Sequence, residues 1–121
     1  MSKGILSLNI LTTVTLHVTL LRYLRFIEDM IKTFSHKGLN NFFNNGDTTK
    51  IQSDHIKKLR LLMANLNAAT KIENMNLPGL GLHKLQGNMK DFWSIKINGN
   101  WRLIFRFSNG DAYDVDYLDY H

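Results

Sequence analysis

Two Asn-Gly pairs, Asn98-Gly99 and Asn109-Gly110, stand close together near the end of the chain. Asn-Gly is the strongest short hairpin signal, because both residues accept the positive φ that a tight turn with the right twist demands. The stretches around the two pairs alternate apolar with polar. The two turns therefore cut the end of the chain into three strands, roughly 91–97, 101–108 and 112–119. An antiparallel meander is the one arrangement that joins strands by such short connections.

Side-chain pattern tests the loop lengths. A two-residue loop at Asn98-Gly99 pairs Ile97 with Asn100 and Ile95 with Arg102, which mixes apolar and charged groups on one face. A three-residue loop pairs Ile97 with Trp101, Ile95 with Leu103 and Trp93 with Phe105, all apolar. A slip of one residue turns every side chain to the other face, so the odd loop is favoured. The same test at the second turn pairs Phe107 with Tyr113, Phe105 with Val115 and Leu103 with Tyr117. The prediction is an odd loop at both turns with a left-handed glycine bulge. The core face is then Trp93, Ile95, Ile97, Trp101, Leu103, Phe105, Phe107, Tyr113, Val115 and Tyr117. Parity puts both tryptophans in the core rather than on a nucleic-acid surface. On the other face Lys96 lies beside Arg102 with Leu118, Arg106 faces Asp114 in an ion pair, and Asn100 faces Tyr120.

Upstream, Met30 opens a short strand candidate, Met30-Ile31-Lys32-Thr33-Phe34. Lys37 to Asn44 reads as a short helix that stops near Asn45-Gly46. A longer helix is expected to begin near Ser53 or Asp54, both good N-caps. Its apolar face is Ile56, Leu59, Leu62, Met63 and Leu66. Thr70 to Gly81 reads as a loop, with Pro78-Gly79 as a turn signal, and Leu82 to Leu85 as a fourth strand candidate. Two helices packed on a small antiparallel sheet make an α+β domain. The 121 residues suffice for one core, and the absence of cysteine excludes disulfides and Cys-based zinc sites. The net charge of +5 favours anionic partners, nucleic acid first.

Residues 1–29 differ in character. Ile5 to Leu21 carries no charged side chain apart from His17. A signal peptide would need a small-residue cleavage site, and none stands near Leu21. A membrane span needs about 20 predominantly apolar residues, whereas this run is shorter and holds four threonines, Ser7, Asn9 and His17. The preferred reading is an apolar N-terminal extension outside the core domain of 30–121. A membrane anchor is the alternative.

RNA brings its own nucleophile, the ribose 2′-hydroxyl, to each phosphodiester. Cleavage needs a base for that hydroxyl, an acid for the departing 5′-oxygen and a cation near the phosphoryl oxygens. No metal or other cofactor is required. His83 and His121 suit proton transfer near neutral pH. Arg102 is permanently charged and holds a phosphate through two hydrogen bonds. His17, His36 and His55 read as surface histidines. Spacing alone does not bring His83 next to His121.

The stretch from Met30 to His121 resembles the HigB toxins, members of the RelE-like superfamily of toxin–antitoxin systems. The resemblance lies in Met30-Ile31-Lys32-Thr33-Phe34 with His36-Lys37-Gly38-Leu39, Leu82-His83-Lys84-Leu85, Trp93-Ser94-Ile95, Asn100-Trp101-Arg102, Asn109-Gly110-Asp111-Ala112-Tyr113 and the closing Asp119-Tyr120-His121. It implies a RelE-like, microbial-RNase-like α+β fold and a cytoplasmic, ribosome-dependent endoribonuclease that cuts mRNA in the A site. It carries function onto His83, Arg102, Asp119, Tyr120 and His121: the histidines on the proton-handling side, Arg102 on the phosphoryl charge, Tyr120 positioning or stacking on the substrate, Asp119 orienting its neighbours. Asn100 is implied to help hold the RNA. Some relatives have a lysine where Gln86 stands, and Lys84 or Lys96 are the candidates to compensate. The resemblance also implies a HigA-type helix-turn-helix antitoxin, with operator DNA bound only through the toxin–antitoxin complex. A basic module that binds RNA or the ribosome without cutting is the alternative from another class, since fold does not fix function.

Overall fold

The computed structural model describes residues 16–21 and 30–120. The readings of residues 1–29 as extension, signal or anchor fall largely outside the described residues, and so does His121. Residues 16–21 are helical and exposed. Among the described residues no helix is long and apolar enough to cross a membrane.

From residue 30 onward, two helices cover one face of a four-stranded antiparallel sheet in the order β1-β2-β3-β4. Helix α1 is Lys37–Asn45. The His36 ring accepts the Leu39 amide through Nδ1 at 2.9 Å, which satisfies one of the open donors at the helix start. Gly46 ends the helix at φ 72° and returns its N–H to Phe42 O at 3.0 Å, a left-handed stop that glycine adopts at little steric cost.

Helix α2 is Ile56–Ala68, entered through a 3₁₀ turn at Ser53–His55. The start lies where expected, but neither Ser53 nor Asp54 caps it with a side chain. The tighter turn supplies the partners instead: His55 N–H donates to Gln52 O and Ile56 N–H to Ser53 O. Short i→i+3 bonds of this kind remove the need for a side-chain acceptor. The apolar spacing holds, with Leu59, Leu62, Met63 and Leu66 buried. The connection from Thr70 to Gly81 contains one 3₁₀ turn, Ile72–Met75, which buries Met75.

The strands are β1 His83–Lys84, β2 Trp93–Asn98, β3 Trp101–Ser108 and β4 Asp111–Asp119. The register through the body of the sheet matches the apolar pattern: Trp93 opposite Phe105, Ile95 opposite Leu103, and Leu103 opposite Tyr117. The route to that register differs from the prediction of odd loops. At the first turn Asn98 pairs with Trp101, leaving the two-residue loop Gly99-Asn100, and a bulge between Lys96 and Asn98 restores the odd register. At the second turn Ser108 pairs with Asp111 around Asn109-Gly110, at φ 52° and 82°, the signature of a type I′ turn. The compensating bulge lies further down, between Ile104 and Arg106 on β3, and Asp114 marks it on β4 at φ 51°. A bulge adds one residue to one strand, so an even loop plus one bulge gives the parity of an odd loop.

This corrects three expected apolar pairs, of which Phe105 with Val115 falls within the second bulge and is not a ladder pair. Ile97 does not pair with Trp101. Phe107 pairs with Ala112, not Tyr113, so Ala112 takes the buried position and Tyr113 turns to the side of Arg106, whose guanidinium lies 5.7 Å from its ring.

The segment opened by Met30 runs along the free edge of β4 as two isolated parallel bridges, Ile31 with Ala112 and Phe34 with Val115. It is not a continuous strand because the Asp114 bulge interrupts the ladder. Thr33 spans the gap: its hydroxyl accepts the Asp114 amide at 2.7 Å. Asn67 Oδ1 on α2 accepts the Met30 and Ile31 amides at 3.0 and 3.1 Å, so this edge is tied to both layers.

The core lies between Leu39, Phe42, Leu59, Leu62 and Leu66 on the helices and Ile95, Leu103, Phe105, Val115 and Tyr117 on the sheet. Burying each large apolar side chain contributes about 1.5–3 kcal/mol. His55 departs from its surface reading: it is 3 % exposed and its Nδ1 lies 2.7 Å from Tyr117 Oη. His36 departs too, being half-buried as the N-cap of α1.

Candidate RNA-cleavage face

The register sets the face of the sheet away from the helices. One row holds His83, Ser94, Ile104 and Asp116; the next holds Lys96, Arg102 and Leu118. Tyr120 continues beyond Leu118, and its amide donates to Asn100 O at 2.8 Å. Tyr120 is thus tied to the first hairpin turn. His83 stands on the edge strand β1, Lys96 and Arg102 in the middle, and Tyr120 just past the end of β4, whereas Asp119 pairs with Trp101 and so has the parity of the opposite side. With neighbouring strands ~4.8 Å apart, the row of groups spans about 14 Å.

His83 is exposed, and its Nδ1 lies 2.8 Å from Gly81 O. A carbonyl can only accept, so Nδ1 carries the proton and neutral His83 presents an unprotonated Nε2 outward. That tautomer takes a proton through Nε2 when neutral and gives one when charged. Arg102 is held by its own turn: Nη1 donates to Gly99 O at 2.7 Å and to Trp101 O at 3.0 Å. Both contacts use Nη1, so the Nε and Nη2 edge remains for a two-pronged grip on a phosphate.

Lys96 sits directly opposite Arg102. Two cations across one strand pair repel. Among the described residues neither forms an ion pair with a carboxylate, whereas Arg106 Nε meets Asp114 Oδ2 at 2.8 Å on the same face. The ion pair expected at Arg106 is therefore present, reached across the bulge rather than from a directly opposed position. Asn100, Asp119 and Tyr120 are exposed around the first turn.

Lys84 does not join this face. It pairs with Trp93 and its ammonium lies 5.6 Å from the Trp93 ring, on the side of the helices. Asp116 and Ser94 do share the row of His83, and strand parity alone would have found Asp116. Among the described residues no three His, Asp or Glu side chains group as metal ligands.

The sequence profile of the HigB-like toxins, RelE-like toxins of type II toxin–antitoxin systems, matches residues 32–121. This chain belongs to the HigB-like toxin family. The chain is 39% identical over 92 residues to Endoribonuclease HigB of Proteus vulgaris, covering 76% of this chain and 100% of that protein. It is 31% identical over 98 residues to Toxin HigB-1 of Vibrio cholerae serotype O1, covering 76% of this chain and 98% of that toxin. The mixed helix and sheet architecture agrees with a RelE-like α+β toxin. For a HigB-like toxin, the cationic centre of the sheet and the tethered Tyr120 are the features to explain.

Proposed function

We propose that this HigB-like toxin is an endoribonuclease that cuts mRNA in the ribosomal A site by attack of the ribose 2′-hydroxyl. The observation that carries the reading is the Lys96–Arg102 pair, opposed across two strands with no acidic partner among the described residues. A phosphodiester between them relieves their repulsion, and the charge grows as the phosphorane forms. Fixed cations aimed at such a developing anion are often the largest single catalytic contribution. The kinship with a relative named an endoribonuclease supports the same reading.

In this scheme the 2′-oxygen attacks phosphorus as its proton leaves to a base, and the 5′-oxygen departs with a proton from an acid. A 2′,3′-cyclic phosphate and a free 5′-hydroxyl remain. His83, with Nε2 outward, and His121 are the proton-handling pair; Arg102 steadies the phosphoryl oxygens. Tyr120 packs on or positions the substrate, Asp119 orients its neighbours, and Asn100 and Lys96 hold the RNA, while Lys84, on the side of the helices, takes no part in that grip. The working unit is 30–121, with a HigA-type helix-turn-helix antitoxin as its neutralising partner and operator bound through that complex. The toxin acts in the cytoplasm, where ribosomes translate.

The test maps new 5′ ends on an mRNA translated with the purified toxin, and with His83→Ala and Arg102→Ala. Cleavage that needs the ribosome, leaves 5′-hydroxyl ends and collapses in both well-folded variants is the expected result. Growth arrest without new ends would instead identify a binding module that blocks the ribosome, and the nuclease reading would be wrong.

A further inference from the structure

Asn100, Arg102, Asp119 and Tyr120 gather at one end of the sheet, and little protein surrounds them. Asn98, Gly99, Asn100, Asp119 and Tyr120 are all exposed. Their mutual bonds, from Arg102 to Gly99 O and Trp101 O and from Tyr120 to Asn100 O, hold the tip together as a unit. They do not fix that unit to the body. Below it the β2–β3 ladder is broken by the bulge between Lys96 and Asn98, and a bulge leaves the strand free to bend and twist. Lys58 Nζ, bonded to Ile97 O at 2.7 Å, ties the bulge to α2.

Trp101 ties the tip itself. It pairs with Asp119 and is flanked by Asn100 and Arg102. Its indole stacks on Tyr117, with centroids 4.6 Å apart and planes 27° apart. The His55 ring meets both edge-on, at 5.4 Å from Trp101 and 5.9 Å from Tyr117. Tyr117 is itself pinned, since its Oη accepts the Gln52 amide at 3.2 Å and lies 2.7 Å from His55 Nδ1.

We infer that the His55–Tyr117–Trp101 stack, buried at His55 and Tyr117 and half-buried at Trp101, is a positioning platform for the cleavage site, setting the height and tilt of the tip that carries Arg102, Asn100 and Asp119. Each of those groups is one peptide bond or one strand pair from Trp101, and the stack joins the tip to the start of α2. None of the three side chains touches substrate; they act through the groups they support. The inference rests on the cleavage reading of the same face. It assigns a role to three residues that the proton inventory leaves out.

The experiment compares Tyr117→Leu, which removes ring and hydroxyl, with Tyr117→Phe, which keeps the ring. Phe107→Leu, at the far end of β3, serves as a control for general destabilisation. Cleavage of mRNA programmed on ribosomes gives kcat and KM, and NMR gives the exchange rate of the Tyr120 amide. A misplacement of about 1 Å costs up to ~100-fold in rate. Tyr117→Leu is expected to lower kcat by roughly 10- to 100-fold with KM within about twofold. It should also speed exchange at Tyr120, and Tyr117→Phe should restore most of both. Phe107→Leu should leave kcat and Tyr120 exchange near wild type. A kcat loss in Tyr117→Leu no larger than in Phe107→Leu overturns the platform, as does a loss confined to KM or an unchanged Tyr120 exchange. If Tyr117→Leu does not fold, Trp101→Phe carries the same comparison. Arg102→Ala separates two failures: full activity there overturns the cleavage reading itself, while an inactive Arg102→Ala beside an active Tyr117→Leu overturns only the platform.

Discussion

The two Asn-Gly hairpins start from the same sequence signal and end differently. At the second, Asn109-Gly110 closes a tight turn, and Arg106 meets Asp114 at 2.8 Å across the bulge. Thr33 from the adjoining edge segment accepts the Asp114 amide. Charge and backbone are both satisfied there. At the first, the bulge lies against the turn, the loop is exposed, and Lys96 opposes Arg102 without a carboxylate among the described residues. One end of the sheet is finished by the protein; on the proposed reading, an RNA phosphate completes the other. The turn residues alone do not encode that difference. It comes from where the compensating bulge falls and which neighbour covers it.

The largest expected effect lies in substituting the two arginines of this face in parallel. Arg102→Ala should lower the rate of mRNA cleavage on the order of 10²- to 10³-fold, the cost of losing a donor to a developing anion, with the thermal midpoint little changed. Arg106→Ala should leave cleavage near wild type and cost at most about 1 kcal/mol, because exposed ion pairs contribute little. Equal activities in the two variants would erase the distinction between the ends. Removing Asp119-Tyr120-His121 extends the same comparison: the core should stay folded while cleavage is lost, and an active truncated toxin would exclude the chain end from the site.

A smaller effect is expected at the finished end. Asp114 holds φ 51° while accepting from Thr33 Oγ1 and from Arg106. Short polar residues tolerate this conformation by bonding locally, and others pay roughly 1–2 kcal/mol. Asp114→Ala should therefore destabilise the fold by about 1–3 kcal/mol, adding the lost bonds, and Asp114→Gly by less. Cleavage per folded molecule should not change in either. Chemical denaturation measures the first and single-turnover cleavage the second. A fall in cleavage by the folded Asp114→Ala protein would show that the two ends are coupled.

The contrast also shows what the sequence could reveal. Ile95, Leu103 and Tyr117 set the body register by apolar parity, and that reading survives because burial penalises any slip. Parity counts side chains per face, so it cannot tell an odd loop from an even loop with a bulge; hence the misplaced pairs at Ile97 and Phe107. The shared face of Lys96, Arg102, Asn100 and Tyr120 followed from the same parity. His83 required the edge pairing with Ser94, which two residues of strand cannot announce. His55 looked like a surface histidine because its partner, Tyr117, lies 62 residues away. A buried polar ring is legible only when its partner is known.

The smallest expected effect joins the stack to alkaline pH. Burial raises the Tyr117 phenol above its ordinary value near 10.0, against the opposing pull of the Gln52 amide. A folded pKa above the unfolded one means that the neutral form is favoured by folding. This stabilising contribution is fully present below the unfolded value and is lost as pH rises through the folded one. A phenolate would retain the Gln52 bond but place a charge in a pocket that disfavours it. Ultraviolet difference titration should show one tyrosine ionising later in the native protein than in the unfolded chain, and Tyr117→Phe should abolish that late step. The same alkaline window should speed exchange at Tyr120 on the unfinished end before it loosens the edge segment at Val115, which is held by Thr33 and Ser35. Simultaneous loosening of both would mean that Tyr117 supports the whole sheet rather than its first hairpin.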